Sequence, residues 1–216
     1  MITLYIEVPY ASFRKSFARS YAETYRLPPP STVYGMLLSL VGEKFRSEHA
    51  GVKLAFAFKR VPQVAVTLRK LSRLKYGVAA KQSTLGNAPD FVETVCGIQM
   101  LCWVNSGEEL SNTASRSLEE RLIEAIQQPE KVNRYGLLCL GLSDDQVDEV
   151  SLQESNDGYW HRLIPCAEGS LELPTWVDHL GSANTSWQRF ELDLQAAPLS
   201  NPPGNSAWPW VEMKRS

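Results

Sequence analysis

The sequence predicts an α+β fold of the ferredoxin-like kind, in which strands and helices follow one another in the order βαββαβ. Two observations predict it: apolar residues alternate or form extended runs in four stretches, and two intervening segments show helical periodicity. The 216 residues suffice for one globular domain with a small appendage, and a hydrophobic content of 44% is too high for a disordered chain. Among the many functions of this fold, single-stranded RNA binding is frequent.

The first strand and the first helix are predicted from the spacing of apolar residues. Residues 2–8 alternate between apolar and other side chains, which is typical of a strand. Between Val33 and Val41 apolar residues recur at i, i+3, i+4 and i+7, which indicates a helix with one buried face. Three prolines precede this helix, Ser31 is its predicted N-cap, and Gly42 is its predicted end.

The middle of the chain predicts a strand followed by a long hairpin. Residues 52–58 alternate again and form the second strand. Residues 64–76 are strand-like and then strongly basic, residues 77–89 are small and polar, and residues 92–104 are extended. We interpret 64–104 as strand, projection and strand, with a projecting thumb inserted around residues 69–92.

The second helix and the last strand complete the pattern. Ser117 and Glu120 form a predicted capping box, and Pro129 stops the helix that follows. Residues 135–142, which include two glycines, are the predicted last strand. The ferredoxin-like domain is therefore expected over residues 1–144.

The remainder of the chain predicts a C-terminal β-rich extension and a tail. Short strands are expected at 147–152, 162–165 and 188–194, either as a second small sheet or as an addition to the first; the extension covers residues 145–195. Residues 196–216 form a Pro/Trp-rich tail.

Tryptophans are concentrated in this last part of the chain. We expect Trp160, Trp176 and Trp187 to pack in the core. Trp208 and Trp210 flank a proline and are candidates for docking on a partner or on the body of the protein.

Several classes of protein are excluded by the sequence. The longest mostly apolar stretch, residues 33–41, is too short to span a bilayer, and the first residues do not resemble a signal peptide, so we expect a cytoplasmic protein that does not bind membranes. The four cysteines lack C-x-x-C spacing, the three histidines lack zinc-motif settings, and Leu142 stands where a P-loop needs lysine. We therefore expect no metal and no cofactor.

Charge is distributed very unevenly along the chain. Residues 1–81 contain 14 basic and 4 acidic residues, whereas residues 82–216 contain 8 and 20, although the net charge is only −2. A charge run is often merely a solvated face. Because the asymmetry here covers whole halves of the chain, it favours a polyanion on one face and a protein partner elsewhere.

The basic thumb segment carries the strongest pattern for RNA. Alternate positions of a strand share a side, so Arg69, Arg73 and Lys75 could follow a phosphate backbone while Tyr76 stacks a base. The alternative is an edge strand kept soluble by its charges. The helix start at Ser31 could likewise bind an anion or be a plain helix start.

Three segments resemble the CRISPR-associated protein 5 family: residues 11–15, residues 24–43 and residues 129–145, the last with its two glycines. The match is closest to the MYXAN-like branch found with subtype I-B systems. The resemblance implies a RAMP variant of the ferredoxin-like fold and a place in Cascade, the RNA-guided surveillance complex. It implies a subunit that caps the 5′ handle of the CRISPR RNA (crRNA), contacts the backbone and large subunits, lies near target DNA, and pins the RNA with a thumb hairpin.

The RNA-binding candidates come from the resemblance and from charge. The resemblance suggests Phe13, Arg14, Arg19, Ser31, Thr32 and Arg134. Charge and the adjacent aromatic ring suggest Lys15, Arg26, Arg69, Lys70, Arg73, Lys75, Tyr76 and Lys81.

Two other functions remain open at the level of sequence. One branch of the family cuts RNA without metal, and here His49 could be the general base with Tyr25 or Tyr34 and a nearby lysine. No lysine and histidine are neighbours, so we expect a non-catalytic subunit. The other alternative is a scaffold that binds only protein.

Overall fold

The computed structural model describes residues 1–15, 21–75, 84–109, 116–155, 157–177 and 184–214. The strands are β1 (Ile2–Ala11), β2 (Tyr21–Ala22), β3 (Lys53–Phe58), β4 (Gln63–Lys75), β5 (Thr84–Asn105), β6 (Glu149–Leu152), β7 (Tyr159–Pro165), β8 (Leu171–Trp176), β9 (Ser186–Leu192), β10 (Ala197–Pro198) and β11 (Val211–Glu212). The helices are α1 (Pro30–Leu40), α2 (Leu118–Gln127) and a 3₁₀ turn at Pro129–Lys131.

Four antiparallel strands in the order β6-β1-β5-β3 form the centre of the sheet. In terms of the βαββαβ pattern this is strand order 4-1-3-2, with both helical connections on one face, which is the ferredoxin-like arrangement. The predicted α+β ferredoxin-like fold is confirmed. The C-terminal strands extend this sheet instead of forming a second one, because β7 pairs with β3, β9 with β7, and β8 with β9.

Helix α1 begins one residue before the predicted N-cap. Pro29 occupies the N-cap position, without a side-chain cap hydrogen bond, and Pro30 is the first helical residue. The prediction of Ser31 as N-cap is wrong, because a proline at the first helical position already has the required φ and has no N–H to satisfy. Gly42, with φ +71°, ends the helix as predicted.

Helix α2 is capped as predicted. The Ser117 side chain accepts from the Glu120 N–H at 3.3 Å, and the Glu120 carboxylate accepts from the Ser117 N–H at 2.9 Å. Leu118, Leu122 and Ala125 are buried against the helix side of the sheet.

The predicted hairpin is present and is longer than expected. β4 pairs with β5 without a register shift, from Gln63 opposite Cys96 to Lys75 opposite Thr84. Residues 84–89, predicted to be part of a loop, are therefore paired strand. The tip at 76–83 lies outside the described residues.

The predicted strand at 135–142 is wrong. Gly136 (φ +69°) and Gly141 (φ +114°) turn the chain, and only an isolated bridge between Cys139 and Gln146 occurs in this stretch. The strand that completes the fold is β6, which pairs with β1 and follows residue 144.

The tail covers the face of the sheet opposite the helices. Trp208, 1% exposed, packs its ring edge-on against Trp103 with centroids 4.9 Å apart and donates from Nε1 to the Leu163 carbonyl at 3.1 Å. Of the two docking places open to Trp208, it takes the body of the protein.

The other tryptophan expectations have mixed outcomes. Trp160 and Trp176 are 5% and 6% exposed, as expected of core residues. The same expectation is wrong for Trp187, which is 46% exposed. No helix within the described ranges is long and apolar enough to cross a membrane, and all four cysteines are free.

Candidate nucleic-acid interface

The chain leaving β1 is fixed against residues 21–25. The Lys15 N–H donates to the Glu23 carbonyl at 3.0 Å, and the Tyr25 N–H donates to the Phe13 carbonyl at 2.9 Å. The Phe13 N–H is in turn bound by the Thr24 hydroxyl at 2.7 Å. These backbone contacts hold the exposed Arg14 and Lys15 on a rigid edge of the molecule.

Phe13 itself belongs to the core. Its side chain is only 4% exposed and packs with the apolar residues under the helices. It is therefore the backbone at Phe13, and not the face of its ring, that borders the surface.

A buried carboxylate holds the second glycine turn against the end of β1. Asp145, 3% exposed, accepts hydrogen bonds at 2.8 Å from the N–H groups of Ser12 and Leu142. A Cβ at Gly141 would lie 2.9 Å from the Ser12 carbonyl oxygen, so only glycine fits there. Gly141 therefore allows the close approach of two chain segments.

A small groove of about 200 Å³ forms where three predicted segments meet. They are the exit of β1, the start of α1 and the glycine turn. The residues they contribute are Ser12, Phe13, Arg14, Ser31, Thr32, Gly141 and Leu142. Segments that are far apart in sequence, and were singled out separately, thus line one site.

A larger groove of about 790 Å³ continues from the first, and Tyr25 lines both. Its walls are the β1 exit with Lys15 and Arg26, the base of the hairpin, and the turn and strands of β8 and β9. Tyr25 and Trp187 both line it and contact each other, with ring centroids 6.2 Å apart and planes inclined by 55°. The Lys15 ammonium lies 5.9 Å from the centre of the Tyr25 ring.

Carboxylates set the electrostatics of this larger groove. Glu93 accepts from the Thr24 N–H at 3.0 Å and from the Tyr21 hydroxyl at 3.0 Å, and this hydrogen bond raises the pKa of Tyr21. Burial, and then the nearby charge of Glu172, raise the pKa of Tyr25. The Tyr25 phenol therefore stays protonated and can donate a hydrogen bond at neutral pH.

The remaining basic candidates belong to three other parts of the chain. Arg134 is exposed on the loop before the glycine turn. Arg69, Lys70, Arg73 and Lys75 occupy consecutive β4 positions opposite residues 84–90 of β5. Arg19, Tyr76 and Lys81 lie outside the described residues.

Of the side chains considered for catalysis, Tyr25 is half-buried and lines both grooves, whereas His49 and Tyr34 are fully buried. His49 is 0% exposed; its Nδ1 contacts Glu109, and its Nε2 lies 2.7 Å from Arg121 Nη1. Because the guanidinium can only donate, Nε2 accepts and Nδ1 carries the proton. Tyr34, also 0% exposed, donates to the Arg46 carbonyl at 2.9 Å. In this arrangement neither His49 nor Tyr34 can reach a substrate, which argues against His49 as a general base.

Two features of the site were missed by sequence reasoning. Asp145 gave no local pattern, since its partners are 133 residues away at Ser12 and three residues away at Leu142. Trp187 was assigned to the core. Within the described ranges, no three His, Cys, Asp or Glu side chains converge as a metal site would require.

Comparison with known proteins agrees with the fold and the segments that build the grooves. The family model for CRISPR-associated protein (Cas_Cas5) matches residues 1–133. Over 201 residues the chain is 35% identical to CRISPR-associated protein Cas5 of Myxococcus xanthus (strain DK1622), which covers 92% of this chain and 93% of that protein.

Two solved structures share the fold at low sequence identity. A chain of a CRISPR RNA-guided surveillance complex superposes with a TM-score of 0.59, 13% identity and 95% coverage of both chains. A Cas protein crystal structure superposes with a TM-score of 0.50 and 14% identity, covering 91% of this chain and 95% of that one. The family match over more than half of the chain and the 35% identical relative together establish that this protein belongs to the CRISPR-associated Cas5 family.

Proposed function

We propose that this chain is a non-catalytic RNA-binding subunit of a type I CRISPR Cascade complex, in which it caps the 5′ handle of the crRNA and contacts the backbone and large subunits. The observation that carries the proposal is the pair of connected grooves at the end of β1, which collects Arg14, Lys15, Arg26, Ser31 and Thr32. Family membership supports the same assignment.

The small groove suits a phosphate group. Arg14 is exposed on backbone that is fixed by hydrogen bonds, so the loop that carries it needs no ordering on binding. The start of α1 opens into the same groove, and no side chain caps it. The partial positive charge of an uncapped helix start favours an anion.

The hairpin offers a path for the RNA beyond the grooves. Val64, near the start of β4, lines the larger groove, and the same strand then carries the basic positions. Because the β4–β5 ladder has no register shift, Arg69, Arg73 and Lys75 share one face of the strand. The six-residue step from Arg69 to Lys75 corresponds to about 20 Å of extended strand along which RNA could run.

Salt dependence of RNA binding tests the path. Each Lys or Arg that neutralises a phosphate of single-stranded RNA contributes a slope of about 0.7 in log affinity against log salt. We expect Arg14→Ala with Arg26→Ala, and separately Arg69→Ala with Arg73→Ala and Lys75→Ala, to flatten the slope for a handle-containing crRNA. Lys44→Ala with Lys131→Ala is the matched control, because both lysines are exposed and neither lines the small or the larger groove at the end of β1. If the wild type, the two test variants and the control all gave the same slope, the substituted arginines and Lys75 would not lie on the RNA path.

Two further measurements separate the other functions. Pure protein incubated with repeat RNA in a chelator should leave the RNA intact, whereas defined fragments would support the endoribonuclease. Co-purification with the other Cascade subunits in the absence of nucleic acid would support a scaffold that binds only protein.

A further inference from the structure

The larger groove has a wall that belongs to the C-terminal extension. Trp187 lies on β9, opposite Pro174 of β8, and nearly half of its side chain is exposed. Its ring lies next to the ring of Tyr25, which belongs to the segment bound to the end of β1, and the two ring centroids are 6.2 Å apart. We call these two rings the Tyr25–Trp187 notch. Tyr25 is half-buried, so the exposed ring of Trp187 provides the surface for a flat ligand at the side of the groove.

The charges around the notch favour a base over a phosphate. Glu23, Glu93 and Glu172 line the groove together with Lys15 and Arg26. Lys15 is paired with Glu23 at 3.3 Å, and Glu93 already accepts two hydrogen bonds. Carboxylates at this density repel phosphate, but they accept hydrogen bonds from the amino groups of bases.

Glu172 is the carboxylate in position to read such a base. It is exposed on β8, lines the groove, and is close enough to Tyr25 for its charge to act on the phenol. A carboxylate accepts from the N4 amino group of cytosine, whereas uracil presents an oxygen at the same position. A pocket with this wall therefore discriminates between the two pyrimidines.

We propose that the Tyr25–Trp187 notch is a nucleobase pocket, in which one base of the handle stacks on Trp187 beside Tyr25 and donates its exocyclic amino group to Glu172. The inference rests on the proposed function, since the base belongs to the bound RNA. It adds that the C-terminal extension, and not only the basic half of the chain, binds the nucleic acid, and that cytosine or adenine is preferred to uracil.

Binding of short homopolymeric RNAs to the full-length protein tests the pocket. We expect oligo(C) to bind more tightly than oligo(U) of the same length, measured by fluorescence anisotropy. Glu172→Gln should bring the ratio of the two affinities close to one, because an amide both donates and accepts. Trp187→Ala should lower the affinity for both RNAs by about 5- to 150-fold, which is the range for stacking one base. The salt slope of binding should stay unchanged. Trp187→Phe should recover most of the lost affinity.

The controls distinguish failure of the pocket from failure of the proposed function. Tyr159→Ala removes an aromatic ring that is 63% exposed and lies outside the groove, so it should bind as the wild type does. If Trp187→Ala binds RNA normally while Arg14→Ala with Arg26→Ala does not, the pocket is wrong and the handle-binding function stands. If the wild type binds neither RNA, both fail. Loss of a Cascade subunit from the Trp187→Ala protein, with normal RNA affinity, would assign the notch to a protein partner and overturn the pocket.

Discussion

The two faces of the central sheet are covered in different ways, by two helices on one face and by the tail on part of the other. On one face, α1 and α2 bury an aliphatic core that includes Leu4, Ile6 and Val8 of β1. On the other face, the tail places Trp208 over Trp103 and completes a smaller core. RNA-binding domains with this strand order commonly stack bases on the open face of the sheet. Here the chain's own tail covers part of that face.

The largest expected effect is on the free energy of unfolding, and it tests whether the sheet face under the tail has a role different from that of the groove. Trp208→Ala removes a fully buried ring and its hydrogen bond to Leu163, and should lower the free energy of unfolding by about 3–5 kcal/mol. Chemical denaturation followed by near-ultraviolet circular dichroism measures this. Under conditions where the variant is folded, the salt slope of RNA binding should equal that of the wild type. A flatter slope would place RNA on the tail side of the sheet and break the comparison.

A second variant should disturb both stability and the groove. Asp145→Ala removes two charge-assisted hydrogen bonds to backbone N–H groups, and should cost about 2–4 kcal/mol of unfolding free energy. Since Asp145 holds the glycine turn against the end of β1, RNA affinity should also fall. Asp144→Ala is the matched control, because Asp144 is adjacent and exposed. Equal stability of the two variants would show that the turn is held by other contacts.

The smallest expected effect is a loss of stability in acid, and it arises from Glu109 at the start of α2. Burial alone would raise the pKa of Glu109, but hydrogen bonds from His49 and from the Leu118 N–H hold its pKa below the ordinary value. A lowered folded-state pKa stabilises the protein above the unfolded-state pKa of about 4.3, and this contribution is lost as the pH falls through the lower, folded-state value. Urea unfolding measured between about pH 6 and pH 3 should show this loss.

Glu109→Gln provides the comparison for the acid effect. It should lose about 1–3 kcal/mol at neutral pH, because hydrogen bonds to a charged acceptor are replaced by weaker ones. Its stability should then depend less on pH than that of the wild type. The two proteins showing the same pH dependence would exclude Glu109 as the group responsible.

Local patterns in the sequence predicted the elements whose burial is periodic. The alternation in β1, the spacing in α1 and the capping box of α2 each depend on neighbours within a few residues, so the order βαββαβ was accessible. The stretch 135–142 misled because its apolar residues imitate a strand, whereas Gly136 and Gly141 adopt positive φ and turn the chain. The first signal of the error is the presence of two glycines in one short strand.

Contacts between distant segments were not accessible in the same way. The basic and helix-start residues at 14 and 31 could be identified by type, but their meeting in one groove depends on the Asp145 turn and on the pairing of β1 with β6. Composition assigned Trp187 wrongly to the core and left two docking places open for Trp208, because exposure of a tryptophan depends on which strand or tail covers it. Trp208 reaches the sheet from the last ten residues of the chain, and Trp187 stands at the side of a groove that exists only after folding.

One strand links the interior of the molecule to its far end. β5 runs for 22 residues, from Asn105 in the middle of the sheet to Thr84 in the hairpin. At about 3.3 Å per residue it extends roughly 70 Å, whereas a compact domain of this size has a radius of gyration of about 17 Å. A load applied where β5 begins is therefore transmitted along continuous backbone to Met100 and Cys102, between β1 and β3. The orientation of that arm is therefore set where β5 leaves the central sheet.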